Sequence, residues 1–115
     1  MKTLFICYPK CSTCQKAKKH LIEAAVEFEE QHIVNSTPTS EQLKKYHEMS
    51  GLPLKRLFNT SGNSYKALNL KDKFDSLSDQ EAYDLLASDG MLIKRPILVL
   101  ENQVFFGYNK DQWPQ

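Results

Sequence analysis

The chain has 115 residues and a mass of 13.3 kDa, with 41% apolar and 25% charged residues, which is enough for one domain with a core of its own. Its formal charge of +1 argues against a basic surface that binds nucleic acid or anionic lipid, so we expect no direct nucleic-acid partner and no membrane partner. No apolar run approaches the roughly 20 residues that cross a bilayer, and the N-terminal apolar stretch is too short for a signal peptide. The composition predicts a cytoplasmic protein.

The first third of the chain has a pattern typical of a strand, a helix and a second strand. The β-prone run Thr3–Cys7 stops at residues 8–10, Tyr-Pro-Lys, which predicts a buried strand that runs into a loop. We expect Ser12 or Thr13 to cap a following helix, because apolar side chains then recur at helical spacing. The imperfect alternation over residues 27–34 predicts a second strand, parallel to the first through a right-handed crossover.

The middle of the chain, about residues 38–90, has the pattern of a helical layer inserted between strands. Two capping-box patterns, Thr39–Gln42 and Ser78–Glu81, predict helix starts. Gly51 and Gly90 follow the apolar stripes of these two helices, and we expect each to end its helix.

The end of the chain predicts a hairpin. The run 96–100 is strongly β-prone, residues 101–103 turn the chain, and residues 104–106 form the return strand. A short helix after Asn109 completes the expected order. We therefore predict an α/β fold with a mixed sheet, formed as a single domain over residues 1–115.

Two cysteines at the start of the first predicted helix suggest redox chemistry. A thiolate is the reactive form of cysteine, and the first turn of a helix favours negative charge. Cys11 lies just before that turn, with Lys10 and Lys16 close in sequence. Cys14 lies about one turn further on and on the same side. The spacing predicts a nucleophile at Cys11 and a resolving thiol at Cys14.

Other interpretations of the cysteines remain open. A structural zinc site needs four Cys or His ligands at paired spacings, and His20, His32 and His47 are too dispersed to supply the second pair. We therefore predict no metal site. The spacing would also fit two unreactive cysteines. Cys7 lies inside an apolar strand, where an unreactive buried thiol is common, so we assign it to the core.

Several motifs, in this order and spacing, resemble the ArsC/Spx family of thioredoxin-like proteins, and the resemblance covers nearly the whole chain. The segments that carry it are Tyr8–Cys14, Pro38–Leu43, Leu57–Gly62, Lys94–Ile97 and Gly107–Lys110. The resemblance implies a thioredoxin-like fold with an inserted helical layer, a redox-active thiol at Cys11 and a cis proline at Pro96.

Within this family, the glutaredoxin-coupled arsenate reductases look like this chain at Cys11 and Arg95. Those enzymes hold the oxyanion with three arginines, and by spacing the other two would fall at Asn59 and Tyr108, which are not cationic. Arg56 lies one helical turn before Asn59 and is the nearest replacement. Losing two sets of charge-assisted donors, at roughly 1.5–3 kcal/mol each, weakens a dianion site by orders of magnitude. We therefore do not expect efficient arsenate reduction.

A second branch of the family, the Spx-type transcription regulators, resembles this chain at the Cys-x-x-Cys motif, at Gly51 and at residues 107–109. In that branch the glycine belongs to the surface that contacts the C-terminal domain of the RNA polymerase α subunit. A redox-sensing regulator that binds RNA polymerase is therefore our alternative function.

Our preferred hypothesis is a thiol-disulfide reductase of the arsenate-reductase-related group. The catalytic residues are Cys11 as nucleophile, Cys14 as resolving thiol and Arg95 beside the Cys11 sulfur. The substrate is a disulfide, another thiol compound or an oxyanion, no cofactor is bound, and glutathione with glutaredoxin, or thioredoxin, supplies the electrons. The residues that we expect to contact the substrate are Lys10, Ser12, Thr13, Arg56 and Pro96.

Overall fold

A four-stranded mixed sheet organises residues 3–115, the part of the chain that the structure, a computed structural model, describes. Its strands lie in the order β2-β1-β3-β4. Strand β1 pairs parallel with β2 and antiparallel with β3, and β3 forms a hairpin with β4. The α/β class and the mixed sheet are confirmed. The strand bounds are Thr3–Cys7 (β1), Phe28–His32 (β2), Ile97–Val99 (β3) and Val104–Phe106 (β4).

Helices connect the strands, and most of them lie between β2 and β3. Only α1 lies between β1 and β2, whereas the others follow residue 38, as the predicted helical layer requires. The α-helices of residues 3–115 are Ser12–Glu23 (α1), Ser40–Ser50 (α2), Asn63–Ala67 (α3), Leu70–Lys73 (α4) and Asp79–Ser88 (α5). Short 3₁₀ turns occupy Leu54–Leu57, Phe74–Ser76 and Gly90–Leu92. Within residues 3–115, no helix has the length and apolar character needed to span a membrane.

The helical layer begins and ends largely as predicted. Both capping boxes form, with the Thr39 and Ser78 side chains accepting hydrogen bonds from backbone N–H groups of the first turns of α2 and α5. Helix α2 ends at Gly51 in the left-handed conformation, with φ +69°. The prediction that Gly90 ends α5 is wrong, because extended Asp89 caps that helix. Gly90 instead allows a close backbone approach, since a Cβ there would overlap the Ile33 carbonyl.

Two local predictions near the sheet ends are also wrong. Neither Ser12 nor Thr13 caps α1, because Cys11 itself occupies the N-cap position in an extended conformation. The helix predicted after Asn109 is only a turn, in which the Asn109 side chain accepts the N–H groups of residues 111 and 112. Helix α1 is thus capped one residue earlier than the local pattern suggests.

The sheet separates two hydrophobic cores, because alternate residues of each strand face opposite sides. The helical-layer core holds Ile6 of β1, the inner faces of α2 and α5, and the 3₁₀ turns. The opposite face is smaller, and we call it the thiol-side core. Its buried members are Phe5, Cys7, Cys14, Ala17, Leu21, Leu98 and Trp113.

Candidate functional site

Cys11 lies where the loop after β1 turns into α1. The loop closes with a hydrogen bond of 2.9 Å from the Cys11 N–H to the Tyr8 carbonyl, and the Cys11 carbonyl accepts the first helical bond, from Gln15 N–H, at 3.1 Å. The Cys11 side chain makes no capping bond and is half-buried. The first turn of α1 carries no acidic residue. The backbone N–H groups at the start of a helix attract negative charge, and no acidic side chain of this first turn opposes that beside Cys11.

Cys14 lies beneath Cys11 and is 2% exposed. Its sulfur accepts the backbone N–H of Tyr8 at 3.3 Å, and it lies in the thiol-side core with Cys7, against which Cys11 packs. The contact with Cys7, together with burial, raises the pKa of the Cys14 thiol well above its usual range. Cys14 is therefore the protected, protonated thiol behind the more accessible Cys11. All three thiols are free.

Cys7 forms the other side of Cys14. It is 3% exposed, which confirms its assignment to the core. Its thiol nevertheless faces a charged pair, because it donates to Glu30 Oε2 at 3.8 Å and Glu30 in turn binds Lys18 Nζ at 2.6 Å. The hydrogen bond from Cys14 lowers the pKa of Cys7, against the opposing effects of burial and of Glu30.

Arg95 lies at the start of β3, before the cis peptide bond to Pro96 that the family resemblance implies. Its guanidinium carbon lies 5.4 Å from the centre of the Tyr8 ring, in a cation–π contact. Its Nε and Nη1 atoms are buried and have no hydrogen-bond partner within residues 3–115. Buried donors of a charged group are costly when unpaired. An anionic group from a substrate would satisfy them.

A cavity of about 640 Å³ joins several of the predicted site residues. Its lining includes Cys11, Thr13, Arg56 and Arg95. Three other predicted site residues do not line the cavity: Lys10 and Ser12, which are exposed, and Pro96, which is buried. Cys14 is also buried and is not on the lining.

The far wall of this cavity is held by a short backbone link between two loops. Asn59 N–H donates to the Leu92 carbonyl and Lys94 N–H donates to the Leu57 carbonyl, both at 2.7 Å. The link brings Arg56 and Asn59 to the same cavity as Arg95.

Tyr108 lies on the same lining and is held from behind. Its hydroxyl meets Nδ1 of His20 at 2.9 Å, and Nε2 of His20 meets the Pro114 carbonyl at 2.7 Å. Trp113 packs edge-on against the Tyr108 ring. Asn59 and Tyr108 stand where the family resemblance places two arginines. They line the cavity with neutral side chains.

The sequence analysis missed two residues of this site. Lys94 adds a second cation beside Arg95 on the cavity lining, and its side chain packs against Gly107. Tyr8 contacts both sides of the site, through its ring to Arg95 and through its N–H to Cys14. Lys94 belongs to the motif that carries the family resemblance, so its position beside Arg95 was an available signal. Tyr8 likewise opens the segment Tyr8–Cys14 of that resemblance, but its contacts with Arg95 and Cys14 join residues distant in sequence or across a turn, which the motif does not show.

Residues 3–115 hold no group of three or more His, Cys, Asp or Glu side chains arranged to bind a metal ion. The three cysteines instead form a row of neighbouring thiols, with Cys7 and Cys14 buried in the thiol-side core and Cys11 packed against it. This arrangement suits exchange between thiols and disulfides.

Comparison with known proteins identifies the family. The ArsC family model matches residues 7–115. The chain belongs to the ArsC family. An ArsC-family related protein from Bacteroides fragilis has the same fold, with 50% identity, a TM-score of 0.95, and 98% of this chain and 95% of that chain covered.

Two further relatives represent the two branches of this family. An arsenate reductase from Vibrio cholerae is 27% identical with a TM-score of 0.86, covering 97% of this chain and 94% of that chain. The global transcriptional regulator Spx of Staphylococcus haemolyticus is 31% identical over 97% of this chain and 83% of its own length. The chain is thus a member of the redox-related ArsC group with relatives among enzymes and regulators.

Proposed function

We propose that this ArsC-family chain is a cytoplasmic thiol-disulfide reductase with Cys11 as nucleophile and Cys14 as resolving thiol. One observation carries the proposal: Cys11 lines a cavity beside Arg95, while Cys14 is buried in the thiol-side core against which Cys11 packs. A nucleophile needs access to its substrate, whereas a resolving thiol needs access only to the nucleophile. Cys11 is half-buried, as a nucleophile requires, whereas Cys14 is only 2% exposed, as a resolving thiol allows.

The reaction proceeds in two exchanges. The Cys11 thiolate attacks one sulfur of a substrate disulfide, forms a mixed disulfide and releases the other half as a thiolate. The Cys14 thiol then gives up its proton, attacks the Cys11 sulfur as a thiolate, forms the Cys11–Cys14 disulfide and releases the second half, which takes up a proton as it leaves. The Tyr8 N–H that already points at Cys14 stabilises this thiolate as the proton leaves. Glutathione with glutaredoxin, or thioredoxin, returns two electrons.

The cavity favours a substrate with an anionic group. The unpaired Nε and Nη1 of Arg95 supply donors, and Arg56 and Lys94 add positive charge on the same lining. A carboxylate, as in a glutathione mixed disulfide, suits this arrangement. Arsenate suits it less well, because Asn59 and Tyr108 are neutral. We assign direct contacts with the substrate to Thr13 and Arg56, which line the cavity, and none to Lys10, Ser12 and Pro96, which do not line it.

The test is to trap the mixed disulfide. Cys14→Ser protein mixed with glutathione disulfide should gain one glutathione on Cys11, detected by intact mass and peptide mapping. The parent protein should instead release it and lose two thiols. Cys11→Ser is the matched control and should gain no glutathione. The proposal fails if Cys11→Ser and Cys14→Ser are modified equally.

A second candidate function is a redox-switched regulator that binds the RNA polymerase α subunit, as the likeness to Spx suggests. Gly51 favours this reading, because it is exposed at a sharp corner and a Cβ there would meet no atom within 4 Å. A partner surface can therefore approach the backbone at that corner. Pull-down of this protein with the isolated α C-terminal domain, before and after diamide, tests it. Absence of binding in both redox states removes this candidate.

A further inference from the structure

The Cys7 thiol has no role in the two exchanges above, although it lies against the resolving cysteine. Cys7 and Cys14 are both buried in the thiol-side core, Cys11 packs against that core, and the Cys14 sulfur accepts the N–H of Tyr8, the residue after Cys7, at 3.3 Å. Cys7 belongs to β1, which is paired on both edges, so its position is fixed by the sheet. A disulfide at Cys14 is therefore within reach of a second internal thiol.

We propose that Cys7 is a second resolving thiol, which moves the disulfide from Cys11–Cys14 to a buried Cys7–Cys14 pair and frees Cys11. This inference rests on the proposed function, because a substrate disulfide must first oxidise Cys11. The exchange needs no further oxidant. The Cys7 sulfur forms a bond to Cys14 while the Cys14–Cys11 bond breaks, and Cys11 leaves as a thiolate.

The proton released by Cys7 has a defined acceptor. The Cys7 thiol donates to Glu30 Oε2 at 3.8 Å, and the Lys18 ammonium lies 2.6 Å from the other oxygen of that carboxylate. Glu30 is partly exposed, with 39% of its side-chain surface accessible, so it exchanges the proton with solvent. A core thiol that serves only for packing needs no carboxylate beside it.

The burial of Cys7 sets the order of the steps. With 3% of its surface exposed, Cys7 is not accessible to a bulky disulfide. It reacts only after Cys14 has been oxidised by way of Cys11. Cys11, at the other end of the row of thiols, lines the cavity instead. The oxidised protein therefore keeps a reactive thiol in the cavity and stores the disulfide in the thiol-side core.

The chain allows a direct test by peptide mapping. Trypsin cleaves after Lys10 and Lys16, which separates Cys7 in peptide 3–10 from Cys11 and Cys14 in peptide 11–16. The parent protein is oxidised with glutathione disulfide, quenched with iodoacetamide in denaturant, and digested. We expect peptides 3–10 and 11–16 joined through Cys7 and Cys14, with the alkyl group on Cys11.

Other products contradict the proposal. An internal Cys11–Cys14 disulfide in peptide 11–16, with alkylated Cys7 in peptide 3–10, overturns it. A Cys7–Cys11 link also overturns it. Because this mapping uses the parent protein, it does not depend on the folding of a variant.

Variants separate this inference from the proposed function. In Cys7→Ala, the joined peptides should be lost and Cys11 should no longer be alkylated after oxidation. In Cys14→Ser, failure of Cys11 to take up glutathione contradicts the proposed function alone. Diamide oxidation of the parent protein then still tests the transfer of the disulfide to Cys7. If the only disulfide found is Cys11–Cys14, the inference about Cys7 is overturned.

Discussion

The two faces of the sheet differ in what their cores contain. Within residues 3–115, the helical-layer core has 17 buried residues, all aliphatic or aromatic, whereas the thiol-side core has seven, of which two are cysteines. Strand β1 contributes to both, with Ile6 on one side and Phe5 and Cys7 on the other. The larger core serves packing alone, whereas the smaller one stabilises the fold and also holds the sulfur atoms next to Cys11. Substitutions on each face should therefore have separable effects.

The largest effect is expected from Trp113→Ala in the thiol-side core. Trp113 is 1% exposed and packs on Phe5 and Tyr108, so the free energy of unfolding should fall by about 3–5 kcal/mol. Because Cys14 lies in the same core, its alkylation should become faster in the absence of denaturant. Urea unfolding and mass mapping after iodoacetamide measure the two effects.

The matched control is Leu86→Ala in the helical-layer core, where Leu86 is fully buried. It should lose about 2–5 kcal/mol with no change in Cys14 alkylation of the folded protein. Equal acceleration in the two variants would show that the two cores do not respond separately.

Arg95→Ala should affect the reaction more than the fold. Loss of a charge-assisted donor pair, worth about 1.5–3 kcal/mol, should slow attack on glutathione disulfide by roughly 10- to 100-fold. Arg95→Lys should be intermediate, because it keeps the charge without the paired N–H groups. Glutathione uptake by these variants in the Cys14→Ser background measures the rates. A neutral probe, bis(2-hydroxyethyl) disulfide, should show a smaller loss, and an equal loss would argue against anion binding at Arg95.

Two glycines of the helical layer separate steric overlap from backbone strain. Gly90→Ala places a Cβ against the Ile33 carbonyl and should cost about 1–3 kcal/mol of unfolding free energy. Gly51→Ala meets open space but keeps a left-handed φ of +69°, which costs about 1–2 kcal/mol. Gly51→Asn should recover part of that loss, whereas Gly90→Asn should not. Recovery at both positions in denaturant titrations would refute the distinction.

The smallest effect concerns the two capping boxes, which differ in charge. Hydrogen bonds from the Ser78 backbone and side chain lower the pKa of Glu81, whereas the equivalent residue of α2 is neutral Gln42. Because the pKa of Glu81 is lower in the folded state, its contribution is present above the unfolded value of about 4.3 and is lost as pH falls through the folded value. Glu81→Gln should therefore lose less stability than the parent between pH 5 and pH 3. Parallel pH profiles from urea unfolding would contradict this.

Much of the fold could be predicted because its signals are local. The capping boxes at Thr39 and Ser78 and the β-prone runs lie within a few residues of the structures that they specify. The Cys-x-x-Cys spacing likewise places Cys14 one turn inside α1. The family resemblance added the cis bond at Pro96, which no local pattern decides.

The remaining features depend on distant contacts. Gly90 is required by the backbone of Ile33, more than fifty residues away in sequence, so its local pattern pointed to the wrong role. The loop link between Asn59 and Leu92 brings Arg56 to the cavity, and spacing alone suggested only that Arg56 lies near Asn59. The contact of Cys7 with Glu30 joins β1 to β2, and neither residue has a motif of its own.

The hydrogen bonds of His20 determine whether the Tyr108 hydroxyl can donate or only accept a hydrogen bond from a substrate. A carbonyl oxygen only accepts, so the bond to Pro114 requires the proton of a neutral His20 ring on Nε2. Nδ1 is then an acceptor, and the Tyr108 hydroxyl donates its hydrogen to it. Only lone pairs of that hydroxyl remain for the cavity. In this arrangement the Tyr108 hydroxyl offers an acceptor where an arginine would offer donors, so we expect it to favour a substrate that brings a donor, such as an amide or ammonium group, to this wall.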